Sequence, residues 1–109
     1  MAYDEALAAR IREHAAGEPV VEKKMFGGLA FLVGGHLAVA ASGQGGLMVR
    51  CPPDQTADLA GEPGASPMVM RGKAMDGWLR VADEAVADEQ VLERWVDRGL
   101  AFARSLPPK

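Results

Sequence analysis

The sequence predicts an α+β domain, an antiparallel sheet with its helices packed on one face, in the order α-β-β-β-β-α-β-α. Three observations lead there. Between residues 20 and 51, short apolar segments follow one another across glycine-rich turns instead of alternating with helices. Val33-Gly34-Gly35-His36 is a two-residue hairpin signal, because a type I′ turn needs positive φ at both central positions. Near the end, Val91, Leu92, Trp95, Val96, Gly99, Phe102, Ala103 and Leu106 form a continuous apolar stripe at helical spacing. With 109 residues, 49% of them hydrophobic, the chain suits a single domain over 1–109 with a real core.

Each element has its own warrant. Tyr3, Leu7, Ile11 and Ala15 recur at helical spacing, Asp4 and Glu5 sit where the helix dipole favours acids, and Gly17 with Pro19 stops the run, so residues 4–16 are predicted as the first helix. Val20–Phe26, Leu29–Val33, Leu37–Ala41 and Leu47–Cys51 read as four strands, with Ser42–Gly46 a looser turn. Pro52-Pro53 opens a short helix that Gly61 ends. Glu62–Pro67 reads as a loop and Met68–Met70 as a short strand. Asp76-Gly77 then reads as a turn that leads into a strand at Trp78–Val81 and presents Trp78 to the core. The last helix is expected to be capped by Asp88 and ended by Pro107-Pro108.

Composition excludes several classes. The 12 basic and 15 acidic residues give a formal charge of −3, which argues against a stand-alone nucleic-acid binder. Cys51 is the only cysteine, so no internal disulfide can form. The chain begins Met-Ala-Tyr-Asp-Glu without a basic or apolar leader pattern. Gly27–Gly46 lacks charged residues, but its seven glycines split it into two short strands where a membrane span would need about 20 mostly apolar residues. A cytoplasmic protein is expected.

The residues that carry chemistry do not converge. His14 and His36 with Cys51 fall outside any metal-ligand spacing, and both histidines read as surface or boundary residues. Ser42, Ser66 and Ser105 lack a nucleophile setting, and Cys51 ends an apolar strand as a small buried hydrophobe. Gly43-Gln44-Gly45-Gly46 and Gly72-Lys73 match neither the dinucleotide nor the P-loop pattern. Met25, Met48, Met68, Met70 and Met75 read as core filling beneath the helices. No catalytic, cofactor or metal residue is assigned, and no enzyme activity is expected.

What remains is a pair of related segments, Lys23-Lys24-Met25-Phe26-Gly27-Gly28 and Lys73-Ala74-Met75-Asp76-Gly77-Trp78. Gly27, Gly28 and Gly77 supply backbone freedom, and Met25, Phe26, Met75 and Trp78 are packing groups. Lys23, Lys24 and Lys73 remain for recognition, as a small basic patch where a partner can dock.

These residues, together with Leu29-Ala30-Phe31 and Leu47-Met48-Val49-Arg50, resemble the N-terminal domain family of TfoX/Sxy competence regulators, over essentially the whole chain. The resemblance implies a two-layer α+β domain of α-β-β-β-α-β-β-α order in a cytoplasmic bacterial protein without known catalysis. It further implies a part in transcriptional control of DNA uptake alongside a DNA-binding activator, in regulators that carry a second domain. A stand-alone, single-domain member is expected here, with no catalytic residues to carry over. Pro67-Met68-Val69-Met70 and Leu79 depart from the family's more aromatic pattern.

The expectation is therefore a non-enzymatic regulatory or protein-interaction module, its partner a protein such as a DNA-binding transcription regulator. Two alternatives stay open. One is a small-ligand-binding protein or enzyme with a pocket between sheet and helices, lined by Met25, Phe26, Met75 and Trp78. The other is weak direct nucleic-acid binding through Lys23, Lys24, Arg50, Arg71, Lys73 and Arg80. An open sheet also leaves edges that a homodimer can cover.

Overall fold

In the computed structural model the described residues are 3–25 and 27–107, less the side chain of Met70. The expected strand at 20–26 therefore includes one residue, Phe26, outside them, as is Pro108 of the expected helix stop.

Helix α1 covers Glu5–His14, where Asp4 accepts hydrogen bonds from the Ala6 and Leu7 amides, and it buries Leu7, Ala8 and Ile11. Strands β1 (Val20–Met25), β2 (Gly28–Val33), β3 (His36–Ala41) and β4 (Leu47–Arg50) follow as a meander. Gly34 and Gly35 have φ of 61° and 85°, the conformation a I′ hairpin requires. A single 3₁₀ turn at Pro53–Gln55 leads into α2 (Thr56–Ala60), then β5 (Ala65–Met70), β6 (Lys73–Val81), a one-turn α3 (Asp83–Val86) and α4 (Glu89–Ser105). Asp88 caps α4 as its composition predicts, accepting from the Gln90 and Val91 amides.

The six strands lie in the order β1-β2-β3-β4-β6-β5, every neighbouring pair antiparallel. The fold is α+β, as expected, but its second half differs in detail. β5 starts at Ala65, inside the expected loop, and β6 starts at Lys73. The chain reverses at Arg71-Gly72, with φ of 54° and 75°, so an arginine takes a left-handed position that glycine usually marks. Asp76-Gly77 is no turn between elements. It lies within β6, where pairing slips from Leu79 opposite Pro67 to Ala74 opposite Val69, and Gly77 has φ of 85°. The four residues of α3 are too few to show a helical period in the sequence.

A second irregularity sets the helix packing. Phe31 pairs with Val39 but Leu32 with Leu37, so Ala38 is an extra residue in β3. Ala38 and Val39 consequently both belong to the main core, although they are consecutive. That core lies between sheet and helices and includes Ile11, Phe31, Leu79, Leu92, Trp95 and Val96, all at most 1% exposed. Leu100 joins the α4 stripe there.

The other face of the sheet carries a separate cluster. Ala30, Leu37, Ala40 and Met48 are buried in it, and the half-buried Met25, Leu32, Met68 and Trp78 pack against them. No helical residue belongs to this cluster. The expectation that the methionines and Trp78 fill the core beneath the helices is thus corrected for Met25, Met48, Met68 and Trp78. Strand alternation sends them to the opposite face. Met75 is half-buried, and the side chain of Met70 is outside the described residues.

Candidate interaction surface on the open sheet face

The two related segments meet through their apolar residues. Register places Val21 opposite Leu32, Lys23 opposite Ala30 and Met25 opposite Gly28, which puts these three β1 side chains on the open face. Trp78 sits opposite Arg50, and Arg80 opposite Met48, on the same face. Met25 from the first segment and Trp78 from the second therefore share one apolar cluster. Phe26 of the first segment lies outside the described residues.

The lysines are placed differently. Lys23 is exposed on the open face, whereas Lys24 lies opposite the core residue Leu29 and points to the helix side of the same edge strand. Lys73 starts β6 beside the Arg71-Gly72 reversal. Three strands separate β1 from β6, and at ~4.8 Å per strand that is roughly 19 Å across the sheet. The topology does not bring Lys23, Lys24 and Lys73 into one patch. It instead places Lys23, Arg50 and Arg80 on the open face, with no acidic residue anywhere in β2, β3 or β4.

The glycines of the segments have structural assignments. A Cβ on Gly28 would lie 2.1 Å from the Ala41 carbonyl oxygen. Gly77 adopts positive φ and donates its amide to Thr56 Oγ1 at 2.7 Å, while its carbonyl accepts from Cys51 N at 3.0 Å. The second segment is thereby pinned to the start of α2 and the end of β4.

In the sequence Arg50 stands only as the end of Leu47-Met48-Val49-Arg50 and as one of six candidate nucleic-acid contacts. Its guanidinium lies 4.7 Å from the Trp78 ring and 5.2 Å from the Phe102 ring, and burial pushes its pKa below the usual arginine value. Phe102 is 52 positions away in sequence and reaches it only because α4 crosses the sheet. Arg80 is committed to the Ser42–Gly46 turn, donating to the Gly45 carbonyl at 3.1 Å.

Ion pairs organise the helix side. Arg12 makes two bonds to Glu22, at 2.6 and 2.8 Å, joining α1 to β1. Arg10 donates to Glu89 Oε1 and to the Val86 carbonyl, while His14 Nε2 lies 2.5 Å from Glu89 Oε2, so α1, α3 and α4 are tied together. His36, expected to be exposed, is half-buried and donates to the Pro107 carbonyl at 2.7 Å, closing the C-terminal end of α4 onto the β2–β3 turn. Cys51 is buried, as expected, and burial raises its thiol pKa.

Among the described residues there is no group of three or more His, Cys, Asp or Glu that could hold a metal. None of their helices is long and apolar enough to cross a membrane. The pocket expected between sheet and helices does not form from the residues named for it, since Met25 and Trp78 face the opposite side and Phe26 is outside the described residues.

The family model of the TfoX N-terminal domain matches residues 13–103. The chain belongs to the TfoX N-terminal domain family. The matched span of this TfoX N-terminal domain takes in all six strands, both glycine-containing segments and most of α4. No curated protein matches the chain.

Proposed function

We propose that this TfoX N-terminal domain is a non-enzymatic regulatory module that docks a protein partner on the open face of its sheet. The supporting observation is the second apolar cluster. Met25, Leu32, Met68 and Trp78 remain half-buried in a cluster without helical residues, and Lys23, Arg50 and Arg80 share its face, Arg50 at the margin where Phe102 of α4 reaches it. An apolar centre with arginine and tryptophan, flanked by cations, is the composition of a protein-binding surface. Its charge fits a partner with an acidic rim.

Family membership supports the finer reading, in which the partner is a DNA-binding transcription regulator and the module acts in competence-type control. Lys23 belongs to the docking surface. Lys24, on the helix side of β1, stands outside it. No reaction and no cofactor are part of the proposal.

Affinity capture from extract of the source cells tests it, using wild type and the variants Val21→Glu, Lys23→Glu and Met68→Glu. Val21 is 64% exposed, so its replacement changes the surface without opening the core. Ala9→Glu, on the exposed side of α1, is the control. The three sheet variants are expected to lose a partner that the control retains. Identical partner sets from all variants reject the surface. A partner set that disappears with nuclease and falls steeply with salt assigns the face to nucleic acid instead.

A further inference from the structure

Among the described residues, Arg50 Nε is the one buried side-chain nitrogen or oxygen without a hydrogen-bond partner. No described carboxylate lies within ion-pair distance of Arg50, whereas Arg10, Arg12, Arg98 and Arg104 all have one. A partly desolvated guanidinium without a counter-charge is costly, so its retention between two aromatic rings calls for an anion. Trp78 and Phe102 lie within 4.7 and 5.2 Å of it. No described residue accepts a hydrogen bond from Arg50, and the Nη edge of a guanidinium matches a carboxylate in two parallel hydrogen bonds.

The neighbouring surface says what else the ligand carries. A groove of about 310 Å³ begins at Cys51, the residue after Arg50, and shares Phe102 with it. Pro52, Leu59 and Ala101 give the groove an apolar wall. Arg98 also lines it, but its charge is already met by Glu62 at 2.8 Å. The volume is at the small end of the range for ligand sites. An inorganic anion would gain nothing from that wall, whereas a hydrocarbon body would bury against it.

We infer that Arg50 and this groove form a binding site for a small monocarboxylate with an apolar body. The carboxylate lies on the Nη edge of Arg50, and the body lies along Phe102 and Pro52. The site shares Arg50 and Trp78 with the margin of the proposed docking face, but its test uses small molecules alone, so the two proposals can fail separately.

Titration of the ¹⁵N-labelled chain with octanoate, octanamide and inorganic phosphate tests the site, following the Arg50 Nε–H and Trp78 indole signals by NMR. Octanoate is expected to shift both signals saturably. Octanamide, which has the body without the charge, should bind roughly tenfold to a hundredfold more weakly, the ratio expected for a hydrogen bond to a charged group. Arg50→Gln should remove the preference for octanoate. If this variant does not fold, the comparison of octanoate with octanamide on wild type still decides. Equal binding of the two, no shift with octanoate, or a shift with phosphate alone each overturns the assignment.

Discussion

Gly99 of α4 packs directly on the bulged residue Ala38 of β3: a Cβ at position 99 would lie 2.5 Å from the Ala38 carbonyl oxygen and 2.6 Å from Val39 Cγ1. A glycine inside a helix ordinarily loses about 1 kcal/mol relative to alanine. Here the sign reverses, because the obstacle is backbone that cannot rotate away. Gly99→Ala must lift α4 from the sheet, and the variant is expected to be destabilised by about 2 kcal/mol. Urea unfolding measures it. A midpoint equal to or above wild type would show that α4 can shift without loss.

The Thr56 hydroxyl donates to the Pro53 carbonyl at 2.9 Å and accepts the Gly77 amide at 2.7 Å, in a buried site. Thr56→Val keeps the shape but orphans that amide, which should cost about 1–3 kcal/mol. Thr56→Ser keeps the hydroxyl and should recover most of the loss. Equal midpoints for the valine and serine variants would remove the hydroxyl from the account of how β6 is held.

Acid should weaken the fold through its carboxylates. Hydrogen bonds from Arg12 and Arg98 hold the Glu22 and Glu62 pKa values below the ordinary 4.5, and the bond from His14, then that from Arg10, does so for Glu89. A folded-state pKa below the unfolded one gives stability that is complete above the unfolded value and is lost as pH falls through the folded value. The urea midpoint should therefore hold near about pH 6 and drop toward about pH 3.5, less so in Glu22→Gln/Glu62→Gln. Because these groups are exposed or, for Glu62, half-buried, added salt should shrink the difference. An identical pH response in the double variant would assign acid sensitivity elsewhere.

Cys51 is 1% exposed and its thiol pKa is raised by burial first of all. Reagents that attack thiolates should label it very slowly in the native chain and rapidly in concentrated guanidinium. Fast native labelling would mean that the Cys51 end of β4 opens readily, and with it the groove beside Arg50.

Much of the first half of the fold was legible because its signals are local. Gly34-Gly35 announces its hairpin, and the α4 stripe announces Trp95 and Val96 as core. The misreadings arise where tertiary context decides. Arg71 adopts positive φ without being glycine or asparagine, so the β5–β6 reversal is silent in the sequence, and Asp76-Gly77 offers itself as the turn instead. Period-2 alternation can say that Met48 and Val49 face opposite ways. It cannot say that Met48 shares its face with Met25 and Trp78, because strand order and register are needed for that. The lysines read as one patch for the same reason: motif similarity carries no information about the distance between β1 and β6. Arg50 became conspicuous only once α4 brought Phe102 beside it.

The Glu22-Lys23-Lys24 run on β1 has a consequence separate from recognition. β1 is an outermost strand, paired only with β2, so one side of its backbone has no neighbour within the sheet. Unpaired amides and carbonyls invite another copy to add a strand, and charged side chains, lysine above all, discourage such growth. Neutralising that run to improve a binding assay would leave a β-prone edge flanked by Val20, Val21 and Met25. What such a variant then gained in self-association would be mistaken for affinity.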